Sequence, residues 1–185
     1  ADHFFRHEYG RLVAMLSRLI GVHYLEAVDD AVQFALAAAL ETWPRSSVPD
    51  NPSAWLFRVA RNRVVGELRR SARRAELPVW HSCEPELEAA DEPPAFLDGD
   101  VRDDLLRMLF ACCDDALPRQ SQLVLALKVL CGLDVREISE RLFMSEAHVY
   151  KRLGRARSRL RHDDFALDEL TSSRMASRLP AVHSI

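Results

Sequence analysis

Two stretches of this chain concentrate cationic side chains that could grip a polyanion. Residues 58–74 carry seven Arg against one Glu, and residues 147–162 carry six Lys and Arg with no acid at all. Guanidinium groups pair with phosphate oxygens through forked hydrogen bonds, so such clusters are the electrostatic footprint of nucleic-acid binding. Either cluster alone could be a solvated helix face. Two of them, each inside a helical pattern and separated by an acidic stretch, point to two separate contacts with one polyanion. The net charge of −3 hides this segregation, because residues 75–100 hold eight acids and neither Lys nor Arg.

Other chemistries find little support. His81, Cys83, Cys112 and Cys113 could supply zinc ligands, but adjacent cysteines on a helix point in different directions, and cysteine is a common buried small hydrophobe. No metal and no cofactor is expected. No glycine-rich phosphate loop, nucleophile elbow or His-Glu-x-x-His motif is present, so no catalytic site is expected. His148, inside the second basic stretch, reads as a DNA contact or a surface residue rather than a catalytic base.

The elements that position the basic stretches are read from composition and periodicity. The chain has 185 residues, of which 48% are apolar, enough for one ordinary domain or two small ones. No run approaches the ~20 apolar residues needed to span a bilayer. The N-terminus lacks the basic-then-apolar layout of a secretion signal. Four Cys, two of them adjacent, make a poor disulfide framework. The expected compartment is therefore the cytoplasm. Periodicity is helical throughout, so the fold class is all-α: two small helical domains joined by a flexible acidic linker. The expected boundaries are 1–74, the linker 75–100, 101–162, and a tail 163–185.

In the first domain Phe5, Tyr9, Leu12, Val13, Leu16, Leu19 and Ile20 recur at helical spacing, and Gly21 ends that helix. A second helix from Asp29 to about Trp43 puts Val32, Ala35, Leu36, Ala39 and Leu40 on its core face. Phe34, Ala37 and Ala38 occupy the opposite face, so this helix either docks a partner or lies in the centre of the core. Residues 43–52 contain three Pro and predict a stiff, non-helical loop. That loop is a connector, or it offers Asp50 and Asn51 as a polar pocket. A third helix over 53–74 has Leu56, Ala60, Val64 and Leu68 inward, with Arg58, Arg61, Asn62, Arg69 and Arg73 on another face. Trp55 could stack on a base or sit in the core.

In the second domain Val101–Cys113 and Pro118–Cys131 read as helices, the latter stopped by Gly132. Asp134 and Glu137 form a capping box at the start of a short helix with Val135, Ile138 and Leu142 inward. A turn and a long basic helix follow, with Val149, Leu153, Ala156 and Leu160 inward. A short helix, a turn and a basic helix have the spacing of a DNA-reading helix-turn-helix. Ser145 caps the second helix, placing Glu146, Ala147, His148, Tyr150 and Lys151 near base edges. Arg152, Arg155 and Arg159 are better placed for phosphates. Phe143 occupies a turn position where glycine is favoured. Either the turn differs in shape, or Phe143 seals the domain core.

These residues carry a family resemblance. Residues 134–142 and 149–160 resemble region 4 of bacterial sigma-70-type factors of the extracytoplasmic-function group. Residues 29–33, 55–63 and 68–70 resemble region 2 of the same group, in the same order. The resemblance implies a promoter-specificity subunit whose partners are core RNA polymerase and promoter DNA. It places Asp30, Gln33, Phe34 and Ala37 against the clamp coiled coil of the β′ subunit, although this family usually has an acid where Phe34 stands. It assigns the −10 element to Asp50, Asn51, Trp55, Arg58, Arg61, Asn62, Arg63 and Arg69, with a flipped base held by the loop. The −35 element falls to the helix-turn-helix, which would rest on the β flap. Residues 174–182 resemble the start of a C-terminal extension found in one subgroup, so an anti-sigma factor or the chain's own extension is a candidate regulator. The alternative is a free-standing helix-turn-helix regulator that needs only the second domain.

Overall fold

The computed structural model describes residues 2–74, 98–162, 167 and 170–185. Among these the chain forms helices α1 (Asp2–Ile20), α2 (Leu25–Ser46), α3 (Pro52–Arg74), α4 (Asp98–Cys112), α5 (Arg119–Val129), α6 (Val135–Arg141), α7 (Glu146–His162) and α8 (Ser172–His183). A 3-10 turn, Val22–Tyr24, separates α1 from α2. The all-α expectation holds, with no strand among the described residues. Residues 98–100, expected in the linker, belong to α4, and the rest of the expected linker lies outside the described residues.

The chain divides into two compact units. One joins the residues up to Glu26 to those from Asp98 onward, and the other begins at Ala27. The expected first domain is thus divided, in packing terms, after Glu26. In the first unit α1 packs along α4 and touches α5. Leu12, Val13, Ala14, Met15, Leu16 and Ser17 are all buried, so the helix is covered all the way round rather than on one stripe. Close packing depends on Gly10, where a Cβ would lie 2.4 Å from the carbonyl oxygen of Leu130. α5 ends at Val129, two residues before the expected Cys131, and Gly132 turns the chain as expected: it adopts φ +63 and Leu133 N–H turns back to donate to Leu127 O at 3.3 Å. Pro118 serves as the N-cap of α5 rather than its first helical residue.

The capping box at α6 is formed in full. Glu137 N–H donates to Asp134 Oδ1 at 2.7 Å, and Asp134 N–H donates to Glu137 Oε2 at 3.0 Å. Glu137 also receives Arg6 of α1 at 2.5 Å. On the inner side of α7, Val149, Leu153, Ala156 and Leu160 are buried as their spacing predicts. α8 docks on α4, with Arg178 donating to Phe110 O at 2.9 Å and to Asp114 Oδ2 at 3.0 Å.

In the second unit the proline-rich loop is shorter than its composition predicts. α2 continues through Pro44 to Ser46, because a proline in the last turn breaks few of the helix's remaining hydrogen bonds. Ser47, at φ 109, then turns the chain. Leu40, expected in the core, is 60% exposed. Its side chain falls one residue beyond the buried row Val32, Ala35 and Ala39.

The hydrogen bond from Arg6, followed by the bond from Asp134 N–H, holds the Glu137 carboxyl below its ordinary range. A folded-state pKa below the unfolded one gives stability that is present above about pH 4.3 and is lost as pH falls through the folded value. Glu137→Gln keeps a capping oxygen but removes the charge. Thermal unfolding at pH 7 should show the variant less stable by about 0.5 kcal/mol, a value kept small because Arg6 is well exposed. The difference should vanish in acid below both pKa values.

Candidate nucleic-acid interface

The helix-turn-helix is built from α6, a turn and α7. Ser145 caps α7, its Oγ accepting from His148 N–H at 3.4 Å and its carbonyl from Val149 N–H at 3.1 Å. With the apolar stripe turned inward, Glu146, Ala147, His148, Tyr150, Lys151 and Arg155 are exposed along the outer side, together with Ser145.

The arginines of α7 separate into two groups. Arg155 is exposed on the outer side with Lys151. Arg152 is half-buried and hydrogen-bonds the side chain of Gln120 on α5. Arg159 points back to Asp114, with Nε 3.8 Å from Oδ1. Arg157 and Arg161 pair with Glu26 at 3.6 and 2.8 Å. Of the three arginines expected on phosphates, Arg155 is presented outward, while Arg152 and Arg159 are engaged by the protein. Helical phase accounts for this, since positions 152 and 159 flank the buried row at 149, 153, 156 and 160 and fall within reach of α5 and Asp114.

In the second unit the N-terminus of α3 is set by Asn51, whose Oδ1 accepts from Ala54 N–H at 3.0 Å. Asn51 and Asp50 are both exposed. Trp55 is half-buried and packs edge-to-face on Trp43, with ring centroids 5.6 Å apart. Arg58, Asn62 and Arg63 are exposed, but Arg61 is only 6% exposed and corrects the expectation that it faces the polyanion. Phe57, Ala60, Arg61 and Val64 share one inward face at i, i+3, i+4 and i+7, so burial of that face carries Arg61 inside.

On the outer side of α3 lies a groove of about 650 Å³ lined by Phe34 of α2 and by Val59, Asn62, Arg63, Gly66, Arg69, Arg70 and Arg73 of α3. The guanidinium carbon of Arg63 sits 4.8 Å from the Phe34 ring centroid, a cation–π contact. Four arginines lining one groove can hold the phosphates of a nucleic-acid strand. Sequence reasoning missed that Phe34, expected at a docking surface, lines the same groove as Asn62, Arg63 and Arg69, which were expected at the −10 element. The signal lay in the match between its position and the third-helix arginines, which a single-helix periodicity does not show. Asp30, Gln33, Phe34 and Ala37 are all exposed on α2, and Leu40 extends the same stripe.

The cysteines do not form a reactive or metal-binding group among the described residues. Burial pushes the Cys112 thiol far above its ordinary value and the Cys113 thiol up to about 11. Both are protonated at neutral pH and therefore weak ligands and nucleophiles. His81 and Cys83 lie outside the described residues. No helix among the described residues is long and apolar enough to cross a membrane.

Comparison with known proteins matches the chain to two family models. Sigma-70 region 2 matches residues 4–74, and Sigma-70 region 4 matches residues 107–160. The chain belongs to the sigma-70 family, with the region 2 and region 4 pairing of the extracytoplasmic-function group. An uncharacterized protein of Rhizobium meliloti (strain 1021) is 36% identical over 159 residues, which cover 85% of this chain. The chain spans 38% of that relative's length. No solved structure matches it.

Two of the arginines of α3, Arg61 and Arg58, provide a check on the facing of this helix. Arg61→Ala should destabilise the second unit by about 1–3 kcal/mol in urea unfolding, through lost packing of a buried side chain. Arg58→Ala should stay within about 0.5 kcal/mol, as exposed substitutions usually do. The reverse order would place the inner face elsewhere.

Proposed function

We propose that this chain is the promoter-reading part of a sigma factor: it binds core RNA polymerase and directs where transcription starts, and it contributes no catalytic group of its own. The observation that carries this reading is the presence of region 2 and region 4 in order on one chain, each with an exposed basic surface. A free-standing regulator using the helix-turn-helix alone leaves the region 2 match without a purpose and is not favoured. Such a subunit works on the chromosome, hence in the bacterial cytoplasm.

On this reading the exposed side of α7 enters the major groove at the −35 element. Ser145, Glu146, Ala147, His148, Tyr150 and Lys151 meet base edges, and Arg155 meets phosphate. Arg152 and Arg159 contribute by fixing the helix through Gln120 and Asp114, and either could exchange its partner for a phosphate at close range. The arginine groove on α3 follows the melted −10 strand, with Asn62, Arg63, Arg69 and Arg58 on phosphates and Trp55, Asp50 and Asn51 near the flipped base. Asp30, Gln33, Phe34 and Ala37 dock on the β′ clamp coiled coil, and region 4 rests on the β flap. On this reading, either a C-terminal extension or an anti-sigma factor would supply regulation.

Two substitutions test the two halves. Arg155→Ala should weaken binding of a −35 duplex across sequences and lower the slope of log affinity against log salt by about one. An unchanged slope would remove Arg155 from the phosphate contacts. Phe34→Asp should abolish co-elution with core polymerase while circular dichroism and melting stay as in the parent. A folded variant that still assembles would move the docking surface off this face of α2.

A further inference from the structure

We propose that Phe143 is a DNA contact that reads a thymine methyl group at the edge of the −35 element, held in place by a strained turn. This rests on the helix-turn-helix reading above and adds a recognition residue outside the helix.

Phe143 lies between α6 and α7, two residues before the cap Ser145. It adopts φ +50, a left-handed conformation that a bulky L-residue enters only at a cost. Asn or Gly would occupy the position with less strain. The turn is fixed on both sides: Leu142 N–H donates to Ile138 O at 3.0 Å and Met144 N–H to Ser139 O at 3.1 Å. The strain is not offset by burial, because Phe143 is 96% exposed and so does not seal the core. A large aromatic that is strained and gains nothing from its own chain points to a contact made outside it.

The surroundings select the partner. Arg141, Ser145, Glu146, Ala147 and His148 are exposed around the turn, and Lys151 and Arg155 continue along α7. A protein partner would be expected to meet a contiguous apolar patch, whereas here one large aromatic stands among mostly polar groups, with Arg141, Lys151 and Arg155 outnumbering the single acid Glu146. That pattern fits a partner offering an isolated apolar group within a polyanion. In the major groove this group is the C5 methyl of thymine, which apolar side chains contact.

The test uses the full chain, alone and bound to core polymerase, with a −35 duplex selected by the wild-type protein. Phe143→Gly and Phe143→Asn should each raise Tm by about 2–6 °C through relief of the left-handed strain. Both should bind the duplex about 5–20-fold more weakly. Replacing thymines one at a time by deoxyuridine should weaken wild-type binding at one position and leave both variants indifferent there. Variants that are more stable yet bind as tightly as wild type would overturn the proposal while leaving the helix-turn-helix reading intact. A loss of affinity for core polymerase with unchanged duplex binding would also overturn it, in favour of a protein contact. Absence of any sequence-dependent duplex binding by the wild type, alone or with core, would overturn both.

Discussion

The carboxyl group of Asp114 is buried at the point where three helices of the first unit converge. It receives Arg178 of α8 at 3.0 Å and has Arg159 of α7 at 3.8 Å, while Oδ1 accepts from Ala116 N–H at 2.8 Å. Its own carbonyl accepts from the side chain of buried Gln122 on α5 at 2.8 Å. A buried carboxylate is tolerated only with partners of this kind, and removing one partner of such a pair typically costs ~3–5 kcal/mol. Asp114 therefore fixes more than itself. It ties the base of the DNA-reading helix to α8 and to α5, and it turns Arg159 inward so that the outer side of α7 is left to Lys151 and Arg155.

The same logic of charge placement runs through the chain. Glu26, which follows the 3-10 turn, holds Arg157 and Arg161 near the end of α7, so most of that helix's cations are anchored by protein and few are left to solvent. In α3 the division is reversed. Arg61 goes inward, and Arg63, Arg69, Arg70 and Arg73 line one groove with the exposed Phe34. One basic helix thus resembles a rigid reading head with a narrow contact surface, and the other an open groove. That contrast fits a duplex element read by the first and a melted strand followed by the second.

Much of this was legible in the sequence, because the physical signals were local. The capping box of Asp134 and Glu137, the glycine stop at Gly132 and the inner stripe of α7 depend only on residues within two turns of one another, and all appear as spaced. What periodicity could not give was the partner across space. Leu40 and Arg61 were misplaced because a helical pattern fixes relative phase but leaves the edge of the buried face undecided by one residue. The inward turn of Arg159 depends on Asp114, which lies in the segment before α5. Pro44 inside α2 shows that composition overstates a loop when the proline falls in a last turn. The assignment of α1 to the unit of α4–α8 was equally hidden, since it rests on Gly10 and Gly132 admitting close contacts with residues over a hundred positions away.

The central claim is that this chain gives promoter specificity to RNA polymerase. The most direct measurement is to mix the purified chain with bacterial core polymerase, supply genomic fragments of the same host, and map the transcript starts. The account predicts new starts that core alone does not make, all preceded by one shared pair of sequence elements at −35 and −10. Binding to duplex DNA with no association with core and no new starts would contradict it.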